Sequence, residues 1–363
     1  MDVGTAQIIS LYGFGGGLVL GLAARVGRFC TMGAFEDAFL GGDRRRLRSW
    51  ALAIAVATAL SQCLAYAGVL DFHHSIYLSS GFPWLGAVLG GLMFGIGMAL
   101  VGTCGYGTLA RIGGGDLRAV VTFLVMAVSA YMAMRGLTGV VRQAVIDPWI
   151  LSFDGTGGMA LNSIFDALTG MDSGPLIGLF AAAGLATWAL KDAGFRAETR
   201  LVVSGVAVGL AIVGGWLATG LVGSDPFAPQ RLESFTFVRP LGDTLVYLMT
   251  FSGATVTFGV GSVLGVTAGA LGGALFKREF RWEACDDVRE LRRHIVGAFL
   301  MGTGGVMAFG CTIGQGITAA STLSVSAPVV MISIAIGARI GLAWLIEGSL
   351  RGMFAAHAFS RDL

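Results

Sequence analysis

Three cysteines in this chain lie in the same local frame, and a thiol that recurs with its surroundings is a candidate functional group. Each has a glycine nine residues before it and another three residues after it, and they are Cys30, Cys104 and Cys311. All three lie in sequence that is apolar or rich in small residues. Because burial disfavours a thiolate, these thiols are expected to stay protonated. We therefore predict that they act as weak S–H hydrogen-bond donors.

Weak donors in series suit the passage of a soft, sulfur-bearing anion. Conduction requires binding that is favourable but easily left, at several successive sites. Cys63 and Cys285 lack the repeated frame, so we interpret the first as a packed helix residue and the second as an incidental loop residue. No C-x-x-C pair occurs in the sequence, which gives no support to zinc or thioredoxin-like chemistry.

The segments after Cys104 and Cys311 are rich in glycine, serine and threonine and are unsuited to a lipid-facing helix. We predict irregular loops at membrane depth, each followed by a helix whose positive dipole end faces a cavity. These loops would present Gly105, Thr312 and Gln315 to a small anion. The glycines that precede the cysteines are instead expected to let helices pack closely.

Two arginines near these motifs are further candidates for contact with an anion or for attracting it. Arg28 lies two residues before Cys30, and Arg111 lies seven residues after Cys104. Charged residues in apolar segments are functional hypotheses by default, and the guanidinium suits oxyanions. The alternative is that both side chains reach to the membrane interface.

Composition determines what kind of fold must position these groups. Of the 363 residues, 55% are hydrophobic, only 13% are charged and 58 are glycine, which excludes an ordinary soluble protein. We predict an all-α polytopic membrane protein of about nine transmembrane helices, with short re-entrant helices or loops and internal pseudo-symmetric repeats. The predicted spans are 7–26, 49–70, 84–103, 119–134, 174–190, 200–221, 243–262, 294–310 and 323–346.

The distribution of arginine and lysine predicts the orientation of the chain. Segments 41–48, 191–200 and 277–293 are rich in these residues and are expected in the cytoplasm, whereas 71–83 has none and is expected outside. The N-terminus is then periplasmic. No cleavable signal peptide is apparent. We predict a multi-pass protein of the bacterial inner membrane, in contact with the lipid bilayer and with no nucleic-acid partner.

Internal repeats are visible around two of the cysteines. Residues 92–115 align with 299–322 with the cysteines in register, which favours one transporter domain, 1–363, with repeat halves of about 1–150 and 174–350. Segment 21–35 also aligns with 253–269, where Ser262 takes the cysteine position; this fourth match is either a true copy or chance. The pattern leaves open whether the repeats are parallel or inverted.

The three motifs together resemble the YeeE/YedE family of sulfur-compound transporters. The resemblance rests on GRFCTMGAF (27–35), FGIGMALVGTCGYGTLARIGGG (94–115) and MGTGGVMAFGCTIGQGITAAS (301–321). It implies an hourglass-shaped helical protein in which Cys30, Cys104 and Cys311 relay thiosulfate through S–H hydrogen bonds. It also implies a separate cytoplasmic sulfurtransferase-like partner of the TusA kind.

We therefore expect a transporter that imports thiosulfate or a similar sulfur anion, with no cofactor and no enzymatic activity. No Walker motif is present, so the chain is not expected to hydrolyse ATP. Two alternatives remain. The first is a membrane sulfur transferase, in which an activated cysteine becomes a persulfide, and the second is a sensor that passes a sulfur or selenium signal to a regulator.

Overall fold

The computed structural model describes residues 4–72, 75–78, 81–152, 159–170, 174–223, 231–284 and 287–347, and Cys285 lies outside them. The described chain is mostly helical, and its two short strands, β1 (Gly81–Phe82) and β2 (Leu151–Ser152), form an antiparallel ladder. This confirms the predicted all-α class. 

Nine of the helices in the described residues have at least 15 residues, and together they build the bundle. They are α1 (Thr5–Arg25), α3 (Arg45–Tyr66), α4 (Trp84–Val101), α6 (Leu117–Arg135), α9 (Leu176–Leu190), α11 (Thr199–Leu217), α13 (Phe258–Phe276), α14 (Val288–Met307) and α15 (Ser326–Glu347). Seven apolar stretches, which take in all of these except α9 and α14, are long enough to cross a membrane. The protein is therefore a multi-pass membrane protein.

Short helices occupy the turns between successive long ones. They are α2 (Thr31–Phe39), α5 (Gly105–Gly113), α7 (Leu137–Val145), α8 (Leu161–Thr169), α10 (Ala193–Ala197) and α12 (Arg239–Met249). Two 3₁₀ turns (Ile76–Leu78, Phe251–Gly253) and two π-helical turns (Ala218–Val222, Gly314–Ala319) complete the helical structure. A membrane span needs about 20 residues, so none of these crosses the bilayer alone.

One predicted span is wrong. The span 243–262 runs across the end of α12, an irregular stretch from Thr250 to Thr257 and the start of α13. The mean apolar character of that window comes from two different helices, which explains the error. The other eight predicted spans each correspond to one long helix, with ends displaced by a few residues.

The stretches that follow Cys104 and Cys311 are helical, so the predicted substrate loops are also wrong. The chain breaks before each cysteine instead. At Cys104, α4 ends at Gly102, whose φ of 73° only glycine adopts readily, and α5 begins at Gly105. The predicted short re-entrant helices are thus present, and each starts one residue after its cysteine.

Glycines bring the long helices into backbone contact. On α1, Gly13, Gly17 and Gly21 face the backbone of α13. On α4, Gly91 and Gly95 face α15, where a Cβ on Gly95 would collide with the Ile334 carbonyl oxygen and a Cβ on Gly91 would collide with the Cβ of Ser333. These contacts confirm that glycines before the cysteines serve close packing.

The same contacts define the directions of the helices. Both pairs, α1 with α13 and α4 with α15, run parallel, because residue numbers rise together along the interface. In contrast, α4 and α14 run antiparallel, since Gly90 meets Gly304 and Gly97 meets Gly297. Helices α1 and α11 are antiparallel as well, with Gly27 against Ser204 at one end and Phe235 between Gly16 and Gly215 further along.

The described chain therefore contains four units of one design: a long helix, a break, a short helix and a second long helix. The first unit is α1–α2–α3, the second is α4–α5–α6, the third is α14–Cys311–α15, and the fourth, which contains no cysteine, is α11–α12–α13. The first two start at one end of the bundle and the last two start at the other. We propose that the halves at about 1–150 and 174–350 are inverted repeats.

Ser262 is not the counterpart of the cysteines. It lies within α13, 1% exposed, and its hydroxyl donates to the Gly259 carbonyl at 2.7 Å. The fourth unit instead has its break before α12, at Thr236 to Val238. The alignment of 21–35 with 253–269 is therefore a coincidence of glycine spacing.

The three arginine-rich segments lie together at one end of the bundle, which we call the arginine-rich end. Arg45 pairs with Glu198, and Arg48 lies 3.4 Å from Asp192, which ties the start of α3 to the start of α11. Arg25 lies 3.4 Å from Glu279, which joins the end of α1 to the segment after α13. Residues 67–72, 75–78 and 81–83 lie at the opposite end, which we call the cavity end.

Candidate anion site at the centre of the bundle

The breaks of the four units meet inside the protein. The side chains of Thr31, Cys104, Cys311 and Thr312 are at most 1% exposed. The Thr31 hydroxyl donates to the Thr312 hydroxyl at 2.9 Å and lies 4.0 Å from the Cys104 sulfur. Residues far apart in the sequence thus form one small polar cluster within apolar walls. We call these four residues the central cluster.

Cys311 joins this cluster to the fourth unit. Its sulfur accepts the backbone N–H of Phe237 at 3.3 Å and that of Gly314 at 3.4 Å, and it lies 3.9 Å from the Thr236 hydroxyl. These N–H groups leave the S–H proton free to donate elsewhere. The sequence frame predicted the cysteine but gave no indication of Thr236 or Phe237, because their unit contains no thiol.

All three framed cysteines begin their short helices in the same way. The carbonyls of Cys30, Cys104 and Cys311 accept the N–H groups of Ala34, Thr108 and Gln315 at 3.0, 2.8 and 2.8 Å. No side chain caps α2 or α5. The first N–H groups of both helices therefore lack intrahelical partners and present positive partial charge, which favours an anion.

A cavity of about 420 Å³ opens at the cavity end of the bundle. Tyr77 and Thr236 are among its lining residues, so its floor lies against Cys311. Its charged lining consists of Arg142, Arg231, Glu233, Arg239 and Asp243. The cavity thus brings charged side chains close to the Cys311 side of the central cluster.

Cys30, half-buried, lies between the central cluster and the arginine-rich end. It immediately precedes Thr31, and a Cβ on Gly33 would collide with the guanidinium of Arg46. Arg46 is held by Asp37, with 3.2 Å between Nε and the carboxylate. A guanidinium therefore lies one helical turn beyond the thiol.

The structure places the two predicted arginines differently. Arg111 is half-buried, and its Nη2 donates to the Gly102 carbonyl at 2.9 Å, so it closes the end of α4 just before Cys104. Arg28 is exposed, with a backbone φ of 55° in the turn between α1 and Cys30. Arg111 thus lies close to the break, whereas the side chain of Arg28 lies on the surface of the arginine-rich end.

Gly105 and Gln315 have clear structural surroundings. A Cβ on Gly105 would lie 2.9 Å from the Phe237 carbonyl oxygen, so this glycine lets the second and fourth units touch. The Gln315 amide donates to the Ala308 carbonyl at 2.9 Å and accepts from the Ser326 hydroxyl at 3.0 Å. Both ends of that side chain brace the break around Cys311.

Cys63, which lacks the frame, lies outside the site, and the expectation that it is a packed helix residue is wrong. Cys63 is exposed on α3. Among the described residues, no group of three or more His, Cys, Asp or Glu side chains is arranged to hold a metal ion.

Comparison with known proteins shows the family of the chain. Residues 26–340 match the family described as Sulphur transport. The thiosulfate transporter TsuA of Escherichia coli (strain K12) is 28% identical over 321 residues, which cover 83% of this chain and 84% of that protein. The thiosulfate transporter TsuA of Spirochaeta thermophila is 24% identical over 363 residues, which cover 91% of this chain and 97% of that protein.

Proposed function

Because the chain belongs to the sulphur transport family, whose curated relatives are transporters rather than enzymes, we propose that it imports thiosulfate or a closely similar sulfur anion. The observation that supports this most directly is the convergence of Cys104, Cys311, Thr31 and Thr312 beneath a charged cavity. We further propose that the membrane is the bacterial inner membrane and that the cavity faces the periplasm.

The proposed path follows the order of the groups between the two ends. The anion enters the cavity, passes Thr236 and Cys311, reaches Thr312, Thr31 and Cys104, and leaves past Cys30 toward Arg46. Cys104 fits the middle position, because its sulfur lies 4.0 Å from the Thr31 hydroxyl and Thr31 directly follows Cys30. Each step exchanges one weak donor for the next.

Weak donors are the physical basis of this relay. A hydrogen bond of ordinary strength contributes about 1 kcal/mol net, and an S–H donor is weaker still. No single thiol therefore holds the anion long. The first N–H groups of α2 and α5, which have no intrahelical carbonyl partner, supply the remaining stabilisation of negative charge.

The arginine-rich end suits release to an acceptor in the cytoplasm. Arg46 and Arg111 offer guanidinium groups beyond Cys30 and next to the break before Cys104. We include in the proposal a separate TusA-like sulfurtransferase that takes the anion there.

Uptake of labelled thiosulfate into proteoliposomes tests the function. We expect the wild-type protein to transport, and Cys104→Ala or Cys311→Ala to reduce the initial rate by up to about fivefold, since each removes a donor worth at most about 1 kcal/mol from the path. Cys63→Ala is the matched control and should transport at the wild-type rate.

Two results would contradict the proposal in different ways. Wild-type rates in both central variants would exclude the thiol relay while leaving transport intact. Thiosulfate binding without any uptake by the wild-type protein would favour a sensor.

A further inference from the structure

Glu233 lies in the wall of the cavity without a cation of its own. Its backbone is fixed, because its N–H donates to the Thr219 hydroxyl at 3.2 Å and its carbonyl accepts that hydroxyl at 2.6 Å. In the part of the chain that the structure describes, no Lys, Arg or His nitrogen lies within 4.0 Å of its carboxylate. An acidic side chain therefore lines the cavity through which an anion must pass.

The groups that face Glu233 come from three elements. Arg231 belongs to the same connecting segment, Arg239 and Asp243 belong to α12, and Tyr77 belongs to the 3₁₀ turn Ile76–Leu78. Arg239 is paired with Asp243 at 3.1 Å. Arg231 has no carboxylate within 4.0 Å among the described residues.

A third cation, Arg142 of α7, completes the charged lining and is paired with Asp147 at 3.4 Å. Two of the three arginines are therefore neutralised by their own carboxylates. Among the described lining residues, Arg231 and Glu233 are the charges left without a salt bridge, and they cancel when Glu233 is ionised. A proton on Glu233 leaves the cluster with one net positive charge.

We propose that this cavity takes up its anion together with one proton, which the carboxyl group of Glu233 accepts from the outer solution. This inference rests on the proposed function and adds a coupling ion to it. The step consists of one O–H bond formed on the Glu233 carboxylate, and the anion is otherwise unchanged.

Anion binding and protonation of Glu233 favour each other for an electrostatic reason. A dianion beside an ionised carboxylate in a partly enclosed cavity is repelled, and the repulsion disappears when the carboxyl is neutral. By linkage, a proton that strengthens anion binding is itself bound more tightly when the anion is present. Burial already raises the pKa of Glu233 above its ordinary value, and Asp243 adds to the rise, against the opposing effect of Arg239 and Arg231.

The sign of the pH dependence follows. Below the pKa of Glu233 in the empty cavity, the carboxyl is neutral and affinity is at its highest. Above it, each anion must bring a proton, so the Kd rises by up to about tenfold per pH unit until the pKa of the occupied cavity is passed. Thiosulfate remains a dianion throughout, so the dependence belongs to the protein.

Isothermal titration of the purified full chain with sodium thiosulfate, between pH 5.5 and 8.5, tests the inference. For the wild-type protein, we expect the Kd to rise at least tenfold across this range. In Glu233→Gln, which is isosteric and neutral, the Kd should stay near the wild-type value at pH 5.5 throughout. Glu233→Asp retains a titratable group and should retain the pH dependence.

A second readout counts the protons directly. Titrations in two buffers of different ionisation enthalpy should show net proton uptake on binding to the wild-type protein at pH 7.5, and none for Glu233→Gln. Equal pH dependence in the wild-type protein and Glu233→Gln, or no proton uptake by the wild-type protein, would overturn the inference while leaving transport standing. Absence of thiosulfate binding at every pH would overturn the proposed function and this inference together.

Discussion

At the scale of single residues, the centre of the protein combines thiols with hydroxyls. Thr31 provides the contact between units, since its hydroxyl donates to Thr312 and lies beside Cys104. Both threonines are buried, so neither hydroxyl has bulk water as a substitute partner. The cluster therefore depends on Thr31 for its internal hydrogen bonding.

Removing that hydroxyl should impair transport more than folding. In Thr31→Val the side-chain shape is kept, but Thr312 loses its donor, and a buried polar group without a partner costs about 1–3 kcal/mol. We expect labelled thiosulfate uptake to fall several-fold and the melting temperature in detergent to fall by a few degrees. Thr187→Val on α9, whose exposed hydroxyl bonds only within its own helix, should change neither quantity.

The sequence predicted part of this cluster and missed the rest for a physical reason. The repeated frame marks three cysteines and so predicted them: Cys30, Cys104 and Cys311. Thr312 was predicted because it lies in the polar stretch after Cys311. Thr31, Thr236 and Tyr77 carry no such mark, since a lone hydroxyl in an apolar sequence has many ordinary explanations. Arg46 was not predicted, because it is one of several arginines in segment 41–48. The orientation of the chain in the membrane already explains the positive charge of that segment.

At the scale of elements, eight of the nine long helices could be predicted from apolar runs. The short helix α12 could not be predicted, because one apolar window spans both its end and the start of α13. The i,i+4 pair of Arg239 and Asp243 and the proline at position 240 were the available signals of a separate helix start. The sequence also did not predict that the break precedes each short helix rather than follows it. That choice depends on packing between units that are distant in sequence.

Two glycines on α13 provide a matched test of the close helix pair. A Cβ on Gly265 would collide with the Phe14 carbonyl oxygen of α1, whereas Gly272 has nothing within 4 Å. We expect Gly265→Ala to destabilise the protein by about 1–3 kcal/mol through overpacking. Gly272→Ala should be neutral or stabilising by up to about 1 kcal/mol, because alanine favours a helix.

Thermal unfolding in detergent distinguishes these two variants. A melting temperature lowered by several degrees in Gly265→Ala alone is the expected result. Equal melting temperatures for both would mean that α1 and α13 do not make this backbone contact.

At the scale of the whole molecule, the arginine-rich segments gather at one end and the charged cavity opens at the other. Charge bias in the sequence predicted that 41–48, 191–200 and 277–293 would share a side, and the structure confirms that they do. The assignment of that side to the cytoplasm remains a prediction, because it concerns the membrane rather than the fold.

The two ends of α3 allow a direct test of orientation. In a background of Cys63→Ala and Cys285→Ala, Arg44→Cys places a thiol at the arginine-rich end and Tyr66→Cys places one at the cavity end. Both native side chains are exposed. In intact spheroplasts, a membrane-impermeant maleimide should label Tyr66→Cys at once and Arg44→Cys only after permeabilisation. The background protein serves as the blank, and the reverse pattern would invert the proposed topology.

Several glycines of the long helices contact backbone atoms, whereas the glycines three residues after Cys30 and Cys311 contact side chains, and this difference separates slow motions from fast ones. Glycines of α1 and α4 press on the backbones of α13 and α15, whereas Gly33 meets the side chain of Arg46 and Gly314 meets that of Thr236. A contact between two backbones changes only when a whole helix moves, which takes microseconds or longer, whereas a side chain changes rotamer much faster. We therefore expect the long helices to form a rigid frame, while rotamer changes of side chains at the centre limit the passage of the anion. The transport rate should then be nearer to that of a pore than to that of a carrier whose halves rock against each other.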